Sequence, residues 1–165
     1  MSQNGVKLQD VLHSVRSEQL SFVKFINVTK NDVTLEWIDF QGHHAKCKKI
    51  LKPGDKLEVQ TFVGHPWVAY NAWRYEMTFS ESRDRIFFPK PSRITDGFPA
   101  QATVLIMTPC KSLKQICLEK IHQTLRTPNS ISILPVPQIL KLKLTKMVFK
   151  QFNHDLPVKI VDTDD

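Results

Sequence analysis

Eight short runs rich in aromatic and β-branched residues occupy residues 22–107, with no helical period between them. They fall at 22–27, 33–38, 48–51, 56–62, 67–71, 75–79, 86–88 and 102–107. Several alternate as strands do: Val33, Leu35 and Trp37 share one face, and so do Leu57, Val59 and Thr61. Turn chemistry separates the runs, at Lys30-Asn31-Asp32, Gln41-Gly42, Pro53-Gly54-Asp55, Gly64-His65-Pro66 and Asp96-Gly97. Short strands about ten residues apart, without intervening helices, predict an antiparallel β-sandwich.

The period changes after Met107, where Thr108-Pro109 closes the last strand. In S-L-K-Q-I-C-L-E-K-I, from Ser112, the residues Leu113, Cys117 and Ile121 recur every four positions, with Ile116 beside them. That spacing predicts one stripe of an α-helix running to Arg126, stopped by Thr127-Pro128-Asn129. Ser112 suits the N-cap, because its hydroxyl accepts from an orphan N–H of the first turn. Cys117 is small and apolar, so at mid-stripe it leaves a dent where another surface can approach. Periodicity alone favours an ordinary core helix. A second helix starts near Pro137, with Leu140, Leu144, Met147 and Val148 on its apolar face and Lys141, Lys143, Lys146 and Lys150 elsewhere. Two helices this short need the sheet or a partner chain to cover their stripes. The expected fold class is α+β in two parts. Residues 1–20 form a flexible lead-in with a short ordered piece at 11–15. Residues 21–107 form the sandwich, 108–150 a small helical domain and 151–165 a loose tail.

Composition narrows the function. Hydrophobic residues make up 41% of the 165, enough for a core, and no run approaches a membrane span. Three cysteines without a C-x-x-C pair or an apolar leader point to reduced thiols in an intracellular protein. Residues 111–150 carry eight Lys/Arg against one acid, an excess equal to the whole chain's formal +7. Such a segment suits nucleic acid, an anionic membrane or an acidic protein. No glycine-aromatic RNA signature accompanies it. His43, His44 and Cys47 have a superficial metal spacing but no matching fourth ligand. Thr61 and His65 are close, yet no third orienting group or phosphate loop completes a catalytic set.

The pattern Ser-Leu, three residues, Cys, three residues, aliphatic resembles the elongin C-binding box of ubiquitin-ligase substrate receptors. Downstream, Val136-Pro137-Gln138-Ile139-Leu140-Lys141-Leu142-Lys143-Leu144 resembles a cullin-2 box, and Leu134-Pro135-Val136-Pro137 also resembles the opening of a cullin-5 box. Upstream, W-I-D-F-Q-G from Trp37, L-K-P-G from Leu51, T-F-V-G-H-P-W from Thr61 and I-F-F-P from Ile86 follow in order. Together they resemble the von Hippel–Lindau family across roughly residues 12–150. The resemblance implies a non-catalytic, cytoplasmic and nuclear adaptor with no cofactor and no metal. Its β domain would bind prolyl-hydroxylated hypoxia-inducible factor α. Its α domain would dock on elongin C and elongin B through Leu113, Lys114, Ile116, Cys117, Leu118 and Ile121. Val136, Pro137, Leu140 and Leu144 would meet cullin-2, with cullin-5 the alternative.

By the same resemblance, Trp37, Thr61, His65 and Trp67 match pocket positions, and Phe40, Val59, Gln60 and Phe62 match the surrounding groove. The chemistry suits a hydroxyproline, which has an apolar ring and one hydroxyl. Tryptophan faces can wall the ring. Thr61 and His65 can supply a donor and an acceptor for the hydroxyl. Taken singly, Trp37 also fits a sandwich core, His65 a turn and Thr61 an ordinary strand position. The family usually carries a Tyr on the strand before Leu51-Lys52-Pro53. Here Lys48 is the nearest match, or Cys47 with a one-residue gap, and neither is aromatic. That departure opens one alternative, an adaptor for an acidic or unmodified ligand; the basic segment at 111–150 leaves a second, a nucleic-acid binder.

Overall fold

The computed structural model describes residues 12–125 and 127–152. The outer lead-in at 1–11, Arg126 at the expected helix end and the tail from 153 lie outside the described residues. Among the described residues, ten strands precede two α-helices joined through a short 3-10 turn (Pro128–Ile131): β1 (Leu20–Asn27), β2 (Val33–Ile38), β3 (His44–Leu51), β4 (Lys56–Phe62), β5 (Trp67–Asn71), β6 (Thr78–Phe79), β7 (Ile86–Phe87), β8 (Ile94–Thr95), β9 (Phe98–Pro99), β10 (Ala102–Met107), α1 (Leu113–Thr124) and α2 (Gln138–Phe152). One four-stranded sheet has the order β4-β1-β10-β6 and a second the order β3-β2-β5-β7.

Alternation builds the core. Val23 and Phe25 of β1, Val33 and Leu35 of β2, Ala69 of β5, and Val104 and Ile106 of β10 turn inward between the sheets. Phe25 sits at the centre, its ring 5.6 Å from Trp67, 5.9 Å from Phe79 and 5.5 Å from Phe87. The sandwich is antiparallel except where β1 runs parallel to β10, with Phe25 opposite Val104. Parallel neighbours need a long crossover, and here the whole second sheet supplies it.

Three strand expectations change. β3 starts at His44, not at residue 48, and a register shift opposite Leu35 bulges it at residues 47–49. Of the run at 75–79, only Thr78–Phe79 ladders, after an isolated Tyr70–Glu76 bridge. Asp96-Gly97 is the turn of an additional hairpin, β8–β9. Both turn residues have positive φ, 52° and 80°, as an Asp-Gly hairpin turn requires.

Residues 12–19, part of the stretch expected to be flexible, lie on the sandwich. Leu12 is buried with Ile38, Val68 and Tyr70, on the side of the second sheet away from the main core. Ser14 is also buried, its N–H donating to the Asp39 carbonyl at 2.9 Å and its hydroxyl to the Ile38 carbonyl at 2.5 Å.

Ser112 caps α1, accepting from the Gln115 N–H at 3.2 Å. The helix buries Leu118, Glu119 and His122; of the stripe that defines it in sequence, Leu113 and Cys117 stay exposed and only Ile121 turns toward the core. Leu118, Ile131 and Leu144 form the centre of a second core, with Ile121, Leu140 and Val148 packed on it. Met147 touches this cluster and the sandwich core alike. Tyr75 Oη lies 2.7 Å from His122 Nδ1 and 3.2 Å from the Glu119 carbonyl, tying α1 to the sheet. Burial pushes the His122 imidazole below its ordinary 6.5, against weaker opposing pulls from Gln151 and Glu119. Burial lowers His65 in the same way. A histidine depressed in the folded state stabilises fully above 6.5 and loses that contribution as pH falls through its folded value. Thermal melts from about pH 7.5 to about 5.5 should therefore show a falling Tm, and His122→Gln should flatten part of the fall.

Candidate functional site

The turn between β4 and β5 sets the site. Gly64 has φ +79°, and a Cβ there would stand 2.3 Å from Val15 Cγ2, so only glycine lets residue 15 lie over the turn. Next to it, His65 is buried, and its ring stacks on Trp37 at 5.4 Å and 21°. Phe40 stands edge-on to both rings, 5.8 Å from Trp37 and 5.4 Å from His65. Phe62 closes the other side at 5.3 Å. Strand pairing sets Trp37 opposite Trp67, whose indole N–H donates to Thr61 Oγ1 at 3.1 Å across the two sheets. Five aromatic or imidazole rings thus gather at one end of the sandwich with one buried hydroxyl. Phe40 stays 47% exposed, so the cluster opens to solvent.

Six of the nine expected pocket and groove residues come together here: Trp37, Phe40, Thr61, Phe62, His65 and Trp67. Three do not. Val59 packs on the main core, because it shares the inward face of β4 with Leu57 and Thr61. Gln60 lies on the outer face of the same strand. On β3, Cys47 packs on the core and Lys48 is exposed at the bulge, so neither stands in for an aromatic hydroxyl.

Sequence reasoning missed Ser14, Val15 and Ser17. The Trp37 indole N–H donates to Ser14 Oγ at 2.7 Å. Ser17 Oγ and the Val15 carbonyl lie 3.0 and 3.2 Å from His65 Nε2. The ordered piece expected at 11–15 was the only signal for this strap. His43 and His44 are engaged elsewhere, His43 with Asp39 at 3.4 Å and His44 with Glu36 at 2.6 Å.

The second surface is on α1. Leu113 is 76% exposed and Ile116 51%, and Cys117 is exposed beside them. Lys114 and Lys120 flank this apolar ridge. Leu118, expected on the same docking surface, is in the α core, because one residue beyond Cys117 turns it about 100° round the helix. Leu144, expected to meet a cullin, is fully buried four residues after Leu140 on the face toward α1. Pro137 and Ile139 remain exposed at the start of α2.

Residues 12–93 match the family model described as the VHL beta domain. Protein Vhl of Drosophila melanogaster is 26% identical over 163 residues, spanning 90% of this chain and 89% of that protein. The chain is a divergent member of the VHL family. The ordered strap, the ring cluster and the β4–β5 turn all lie within the matched VHL residues. VHL membership supports a non-catalytic substrate-recognition role, with partners of the elongin–cullin type.

Proposed function

We propose that this VHL-family chain is the substrate receptor of an elongin B/C–cullin-2 ubiquitin ligase, with cullin-5 as the alternative scaffold. It binds prolyl-hydroxylated hypoxia-inducible factor α at the Trp37–His65 cluster and docks on elongin C through Leu113, Ile116 and Cys117. The ligase chemistry belongs to partner subunits.

The observation that carries this reading is the ridge on α1, apolar and in water on a helix whose opposite face is packed. A long exposed apolar row is costly in a monomer and marks a place for a second chain. The ring cluster supports the substrate half. Trp37 and Phe40 offer apolar walls, and Thr61 and His65 offer the polar pair that a ring hydroxyl needs. A proline without its hydroxyl would leave that pair unpaired, at about 1–3 kcal/mol per buried group. Calorimetric titration with matched proline and hydroxyproline peptides should show a preference of at least about tenfold for hydroxyproline. Equal affinities would refute the hydroxyproline reading.

One observation favours a second reading. Lys46, Lys48 and Lys49 are all exposed on β3, the edge strand of its sheet. An adaptor with this edge suits an acidic ligand in place of hydroxyproline. Under that reading Lys48→Tyr weakens peptide binding; under the first, with Lys48 outside the ring cluster, it leaves hydroxyproline affinity nearly unchanged.

A further inference from the structure

The strap over the ring cluster also constrains a proton. His65 Nε2 faces Ser17 Oγ at 3.0 Å and the Val15 carbonyl at 3.2 Å. A carbonyl oxygen can only accept, so a bare Nε2 would set lone pair against lone pair. With the proton on Nε2, both neighbours accept it. A neutral imidazole carries one N–H, which leaves Nδ1 as its acceptor. Among the described residues, no hydrogen bond reaches Nδ1. Thr61 Oγ1 accepts from the Trp67 indole and keeps its own proton to donate.

We propose that Val15 and Ser17 are positioning residues: they lock His65 in its Nε2–H form, so that Nδ1 accepts a hydrogen bond from the ligand hydroxyl while Thr61 donates one. The pocket then selects a group that donates and accepts at a single atom, which is an alcohol. A ketone lacks the donor and an ammonium lacks the acceptor. Ser14 fixes the neighbouring wall by holding the Trp37 indole N–H. The proposal rests on the hydroxyl-reading pocket above and assigns the group that accepts.

The test uses the full chain with 15N-labelled histidine. Long-range proton–nitrogen spectra without peptide report which ring nitrogen of His65 is protonated. Wild type should show Nε2–H. Ser17→Ala removes one of two acceptors and should shift the ring toward a mixture. It should also lower the hydroxyproline-to-proline affinity ratio about fivefold. Ser17→Thr keeps a hydroxyl and should restore both readouts. A wild-type ring protonated on Nδ1, or a signature indifferent to Ser17→Ala, overturns the lock. If the signature responds but wild type binds both peptides equally, the lock holds and the hydroxyproline reading is what fails.

Discussion

Glu36→Ala should destabilise the fold by about 3–5 kcal/mol, the loss typical of removing one partner from a buried ion pair. Glu36 is fully buried on β2, and both its oxygens are used. Arg74 grips it with two nitrogens, one contact being Nη2 to Oε2 at 3.1 Å, and His44 Nδ1 lies 2.6 Å from Oε2. The Arg74 guanidinium also covers the Tyr70 ring at 3.8 Å. Burial alone would raise the Glu36 carboxyl, but hydrogen bonds and charge from His44 and Arg74 outweigh it and hold the group below 4.5. A depressed carboxylate stabilises above its unfolded value and loses that contribution as pH falls through the folded one. Without Glu36, Arg74 keeps a largely buried charge and no carboxylate. Denaturant melts of Glu36→Ala, Arg74→Met and the double variant check this. The double variant should recover part of the loss, since an apolar replacement for a buried pair is often near neutral. A loss under about 1 kcal/mol in Glu36→Ala would mean that the network contributes little.

Cys117→Arg should leave the fold intact and remove elongin docking. Cys117 is in water, so the fold should change by no more than about 0.5 kcal/mol. In the proposed complex the same position is the low point of the ridge, beside Leu113 and Ile116, whereas Ile121, also expected there, packs on the α core. A guanidinium there would be driven into an apolar surface without a partner, and elongin B/C affinity should fall at least about thirtyfold. Leu113→Ala should weaken binding in the same direction. Unchanged capture by both variants, with unchanged melts, would move the docking surface elsewhere.

Much of the fold was legible. β2, β4, β5 and β10 fall on the residues that alternation predicts. The Ser112 start of α1 is a local signal and holds. What was not legible depends on distant partners. Glu36 looks like an outward strand residue until Arg74, in a turn 38 positions on, folds over it. Leu12 and Ser14 sit in a polar stretch without period, and their contacts lie 23 or more residues away. Helical spacing found the α1 stripe but could not say which side faces inward. Leu144 was drawn into the cullin motif because it fits the spacing, and Leu118 into the elongin motif as the neighbour of Cys117, whereas the α core needs both. At the candidate site, T-F-V-G-H-P-W marked the turn and its rings, but nothing local marked the strap that fixes His65.

An adaptor must hold both partners at once, and a bridging capture measures that directly. A bead-bound hydroxyproline peptide of hypoxia-inducible factor α is mixed with elongin B/C, with and without the chain. The adaptor reading predicts that elongin is retained only when the chain is present, and less on the proline peptide. Elongin retention that does not depend on the chain, or none with it, would contradict the assignment.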